Sequence, residues 1–167
     1  MLNIINNLAP FFEDCYREIG VREYAKEIGT SPPTASKNLH YLWEKDLLKK
    51  KEYRNLILFR ANRENPILRD LSKIYWRGKL NEFIEEVKNQ CETMILFGSL
   101  SKLEAKKESD IDICLVSNAK GKINLKKYEK KLGRKIELFQ FKSFSDIKSK
   151  ELKCNVLNGF ILEGGIE

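Results

Sequence analysis

The sequence predicts an α+β chain: three helices with a β-hairpin, a helical linker, and a small mixed sheet flanked by helices. Three observations carry that expectation. Apolar residues recur at helical spacing as far as Lys45. Two strand-like runs then flank a polar turn at Glu52-Tyr53-Arg54-Asn55. From Thr93 onward the pattern shortens to strand-length apolar runs broken by glycine and carboxylates. The expected organisation is a domain over residues 1–62, a linker over 63–90 and a second domain over 91–167.

Leu2, Ile5, Leu8, Phe12 and Tyr16 share one face of a first helix, with Pro10 as its expected kink or break. A short helix over Val21–Ile28 is stopped by Gly29. Thr30-Ser31-Pro32-Pro33 then supplies a capping hydroxyl and a proline where a helix can begin. That helix runs to about Lys45, with Ala35, Leu39, Leu42 and Trp43 as its inner face. Two short helices joined by a tight turn form a helix-turn-helix, and the second presents Thr34, Ser36, Lys37, His40 and Tyr41 outward. Lys49, Lys51 and Arg54 make the following hairpin basic, suited to lie along a phosphate backbone. Beyond the turn Asn62–Pro66, residues 67–90 read as one or two helices. Leu68, Leu71, Ile74, Tyr75, Leu80, Phe83, Ile84 and Val87 form the stripe, and Gly78 is the expected break.

The second half holds the chemistry. Met94-Ile95-Leu96-Phe97 is a strand that runs into Gly98-Ser99, with a helix expected from Leu100 through about Ala105. A glycine at a strand-to-helix turn lets backbone approach a phosphate, and the helix start beyond it offers free N–H groups. Glu108 to Val116 then alternates as a strand whose Asp110 and Asp112, two apart, point to one face. Adjacent carboxylates repel unless a cation lies between them, and hard oxygen ligands suit Mg²⁺ or Mn²⁺. A helix over 125–132, stopped by Gly133, leads into the strand Lys135–Phe141, and Glu137 is the acidic residue of that strand.

Composition bounds the remaining classes. The net charge is +7, and it is uneven: +2 over 1–62, zero over 63–97, +7 over 98–154 and −2 over the rest. The surplus lies beside the carboxylate motif, where it would attract a polyanion such as a nucleotide or RNA. Cys15, Cys91, Cys114 and Cys154 form no C-x-x-C pair, and His40 is the single histidine, so no zinc motif is present and reduced thiols are expected. No apolar run approaches the roughly 20 residues of a membrane span. With no signal-like N-terminus, a cytoplasmic location is expected.

The phrase V-R-E-Y-A-K-E-I-G-T-S-P-P-T-A-S-K-N-L-H-Y-L and the hairpin after it resemble the winged-helix domains of MarR- and ArsR-like regulators over about 60 residues. That resemblance implies contact with double-stranded DNA through Ser31, Thr34, Ser36, Lys37, His40, Tyr41, Lys49, Lys51 and Arg54, and it makes a homodimer an open expectation. L-F-G-S-x₁₀-D-I-D-I resembles the minimal nucleotidyltransferases of the DNA polymerase β superfamily, over about Thr93 to Gly164. It implies that Gly98, Ser99, Lys102 and Ser109 bind an NTP, ATP foremost. Asp110, Asp112 and Glu137 would be the catalytic carboxylates and metal ligands, and Glu137 would take the acceptor's proton. The loop departs from the family's x-A-R-G by reading Leu100-Ser101-Lys102-Leu103. Two functions stay open. One is a metal-dependent transferase of nucleoside monophosphate to a hydroxyl, such as that of a partner toxin. The other is a DNA-binding regulator whose second domain only binds nucleotide or mediates assembly.

Overall fold

The computed structural model describes residues 2–117 and 123–166. Lys120 and Lys122, which contribute to the basic surplus, lie outside them. The chain forms two compact units, Met1–Tyr75 with Leu103–Lys107, and Trp76–Lys102 with Glu108–Glu167. The 63–90 linker is thus divided between the units rather than standing apart.

In the first unit, α1 (Leu2–Glu13) continues through Pro10 instead of breaking there. Burial of Leu8, Phe11 and Phe12 on both sides of the proline holds it. Tyr16 lies past the helix end and is exposed, contrary to its expected place in the stripe. The strand β1 (Ile19–Gly20) leads into α2 (Val21–Ile28), which ends where Gly29 turns left-handed at φ 68° and donates its N–H to Ala25. Across a short turn, α3 (Pro32–Glu44) opens with Ser31 Oγ accepting the Thr34 N–H at 3.4 Å. Ala35, Leu39 and Leu42 are buried as expected, but Trp43 is not an inner residue. Its ring lies on the surface with Lys50 Nζ 4.2 Å from the centroid.

The strands β2 (Leu48–Tyr53) and β3 (Leu56–Ala61) pair antiparallel in an unbroken register, and β1 adds to β3 for the order β1-β3-β2. Arg54 and Asn55 both take positive φ, 46° and 63°, as a two-residue turn matched to strand twist requires. Behind the hairpin, Asn62 Nδ2 and Asn65 Nδ2 both donate to the Asp46 carbonyl, at 2.8 and 3.0 Å. Asn65 Oδ1 accepts the Leu68 N–H at 3.1 Å, so the same residue starts the next helix.

That helix, α4 (Pro66–Val87), is unbroken at Gly78. A mid-helix glycine costs about 1 kcal/mol against alanine. The burial of Trp76, Leu80, Phe83, Ile84 and Val87 around it outweighs that cost. Ile74, expected in the apolar stripe, is exposed, and Trp76 is the buried residue instead.

The second unit is built on β4 (Thr93–Phe97), β5 (Ile111–Val116), β6 (Ile136–Phe141) and β7 (Phe160–Gly164) in the order β6-β5-β4-β7. The β5–β6 pair is parallel, joined across α6 (Leu125–Leu132), and the other pairs are antiparallel. One sheet face carries Ile95, Phe97 and Cys114, packed with Ile147, Val156 and Leu152 from α7 (Lys150–Leu157) and the turn before it. The helix after β4, α5 (Gly98–Ser101), is a single turn and does not reach Ala105. Leu103 ends any continuation by adopting φ 59° with its side chain fully buried. All four cysteines are free thiols, but of the thiols expected to be mostly buried only Cys15 and Cys114 are so, with Cys91 half-buried and Cys154 exposed. Among the described residues, no helix is long and apolar enough to cross a membrane.

Candidate active site

The site is assembled at one end of β4 and β5. Phe97, the last residue of β4, pairs with Asp112 near the start of β5, so Gly98 emerges against the Asp112 side chain. Gly98 takes φ 69°, and a Cβ there would lie 3.0 Å from Asp112 Cγ and overlap Asp112 Oδ2 outright. Only glycine satisfies both demands. Parallel pairing sets Glu137 directly beside Asp112 on the same face, and Asp110 precedes β5 by one residue.

Asp112 shares that face with the apolar cluster of Phe97, Cys114 and Phe139. Loss of hydration, followed by the nearby charges of Glu137 and Asp110, pushes its carboxyl up to about 6. Lys135 opposes this, with Nζ 4.0 Å from Asp110 Oδ2. Three carboxylates of one sign against one lysine leave a local deficit of positive charge. Hard oxygen donors with that deficit fit a divalent cation of the Mg²⁺ or Mn²⁺ type in their chemistry. Among the described residues, no three His, Cys, Asp or Glu side chains already converge as a metal cluster. Asp110 and Asp112 are half-buried, whereas Glu137 is exposed.

A nucleotidyltransferase-domain family model matches residues 79–162, from within α4 to β7, half of the chain. The chain belongs to that family. Neither a curated protein nor a solved structure matches it. The nucleotidyltransferase domain places its remaining expected residues unequally. Ser99 stands half-buried on the single turn of α5. Lys102 follows that turn, donating from Nζ to Asn155 Oδ1 of α7 at 2.9 Å. Ser109 gives its carbonyl to Arg134 at 2.6 Å. Sequence reasoning missed Asn155, Arg134 and Lys135, which bear on the site through Lys102, Ser109 and Asp110. Lys135 had a usable signal: it immediately precedes the strand of Glu137, where parallel pairing with the Asp110 strand would set it.

The residues expected on DNA belong to the first unit. Thr34, Lys37 and Tyr41 are exposed on α3, and Ser36 is half-buried. Ser31 is spent on capping, with its Oγ 2.9 Å from Thr34 Oγ1. His40 departs from the outward placement expected of it. Its Nδ1 bonds to the Ser36 carbonyl at 2.9 Å, and its ring meets Phe59 edge-on at 5.4 Å. Lys49 pairs with Glu64 at 2.6 Å and Lys51 with Glu18 at 3.0 Å, so neither is an uncompensated cation. Arg54 stands exposed at the hairpin tip beside Tyr53, with Cζ 5.2 Å from the ring centroid.

Proposed function

We propose that the chain is a metal-dependent nucleotidyltransferase that moves a nucleoside monophosphate from an NTP, ATP foremost, to an acceptor hydroxyl. The observation that carries this reading is the Asp112 carboxylate set against Gly98 and flanked by Asp110 and Glu137, its acidity weakened first by burial and then by their charge. Gly98 and Ser99 bring backbone N–H groups and a hydroxyl to the triphosphate, and Lys102 adds a cation that Asn155 orients. Asp110, Asp112 and Glu137 would hold Mg²⁺ or Mn²⁺, which when bound offsets the phosphate charge and sharpens the acceptor oxygen as a nucleophile. The acceptor oxygen bonds to the α-phosphorus as the bond to the bridging oxygen breaks and pyrophosphate leaves. Glu137, exposed at the rim, accepts the hydroxyl proton.

By resemblance the acceptor is a protein hydroxyl, such as that of a partner toxin. The first unit supports a second role in the same chain. Its element order (helix, strand, two helices, hairpin) and the exposed Thr34, Lys37, Tyr41 and Arg54 suit a winged helix on duplex DNA, single or paired as a homodimer. An α-labelled NTP with Mg²⁺ and candidate acceptors tests the enzymatic reading. Label should move with the wild type and not with Asp110→Ala. Absence of transfer from all four NTPs overturns the enzyme reading and leaves the DNA-binding regulator.

A further inference from the structure

The first unit contains a cavity of about 360 Å³ that no part of the nucleotidyltransferase reading uses. Four cations from separate elements line it: Lys49 on β2, Arg60 on β3, Arg63 in the turn after β3 and Arg69 on α4. Glu64 and Glu104 are the acidic lining residues, so the walls carry a surplus of two positive charges. Every lining residue belongs to the first unit, including Glu104 from the 103–107 segment. We propose that this cavity is a binding site for a small phosphate-bearing anion, held by Arg63, Arg60, Arg69 and Lys49.

Two observations favour a ligand over chance crowding. Arg63 Nε is buried with no hydrogen-bond partner, a donor left unmet beside a basic cavity. Buried guanidinium N–H groups ordinarily find an acceptor; Nε itself is covered, so an anion's oxygens would meet the terminal Nη groups of the same guanidinium. The Arg63 guanidinium is also fixed in place, with Cζ 4.1 Å from the centroid of the Tyr16 ring. A stacked planar fork suits the paired oxygens of a phosphate. Glu64 is the counter-charge now present. Lys49, foremost by its hydrogen bond, and then Arg60 and Arg63 hold its carboxyl below the usual range. It is largely exposed at the cavity edge, so an incoming dianion can replace it against Lys49 with little loss. The cavity lies within the size range of small-ligand sites.

The test uses the full chain in EDTA, titrated calorimetrically with pyrophosphate or orthophosphate at constant ionic strength. Arg side-chain NMR provides a local readout. Binding is expected to shift the Arg63 Nε–H resonance, to weaken at least tenfold in Arg69→Gln and Arg63→Gln, and to persist in Lys102→Gln. Arg69 is exposed, so its variant keeps the fold even if Arg63→Gln does not. Four results overturn the proposal. The first is no heat and no Arg63 shift at millimolar anion, and the second is equal binding in Arg69→Gln. The third is an Arg63 shift with duplex DNA alone, which makes the cavity a backbone contact. The fourth is loss of anion binding in Lys102→Gln with Arg63 unmoved, which assigns the anion to the nucleotidyltransferase site.

Discussion

At the scale of single residues, Gly98 and Asp112 constrain each other. A Cβ at position 98 overlaps the Asp112 carboxylate, and φ 69° costs any L residue about 1–2 kcal/mol. Gly98→Ala is therefore expected to fold and to lose label transfer by a hundredfold or more, read beside an unchanged circular dichroism spectrum. Asp112 itself trades stability for function. Its folded-state value of about 6 lies above the ordinary 3.8, so the fold favours the protonated form. That contribution is complete below pH 3.8 and is lost as pH rises through about 6. Without metal, Asp112→Asn should be more stable than wild type at pH 7 by about 1 kcal/mol after allowance for solvent screening, and nearly equal to it at pH 4. Urea midpoints of both proteins at the two pH values check this. A wild type as stable as Asp112→Asn at pH 7, or more so, would mean that the Asp112 carboxylate is neither desolvated nor repelled as placed.

At the scale of elements, legibility followed the range of the interactions. The α2–α3 turn was readable because Gly29, Ser31 and Pro32 each act within a few residues. The hairpin was readable too, since its register is set locally by Arg54 and Asn55. Gly78 misled because propensity speaks for breaking the helix and only tertiary burial of Trp76, Leu80 and Phe83 decides otherwise. The early end of α5 depends on the left-handed, buried Leu103, a residue type with no tendency to stop a helix. Within the site, Gly98, Asp110 and Asp112 were legible from spacing. Glu137 came from family resemblance, and its alignment with Asp112 is a register between distant segments that sequence does not carry. Lys102 was legible, but its Asn155 partner was not, because α7 reaches it only through packing. Gly78 stands in open space on α4. A Cβ there meets nothing within 4 Å, so Gly78→Ala should raise stability by about 0.5–1 kcal/mol, read as a higher melting temperature. A fall would mean that the glycine serves a contact outside this chain.

At the scale of the whole molecule, the charge distribution separates the two proposed roles. The first 62 residues carry only +2, and Lys49 and Lys51 are compensated by Glu64 and Glu18. The proposed duplex binding by this unit would therefore come from few phosphate contacts. The dependence of log K on log salt falls by about 0.9 for each contact. Lys37 is exposed on α3 and Arg54 on the hairpin tip, whereas Lys49 lines the basic cavity behind an ion pair. Lys37→Ala and Arg54→Ala should each weaken duplex binding and flatten the salt slope by about 1. Lys49→Ala should leave the slope nearly unchanged. Asp112→Asn should abolish nucleotide transfer and leave the slope as it was. Fluorescence anisotropy with a duplex from 50 to 300 mM salt reads the four variants together (these concentrations being roughly the range over which counterion release is resolved). If Lys49→Ala flattens the slope as much as Lys37→Ala does, the DNA lies across the basic cavity instead of along α3 and the hairpin tip.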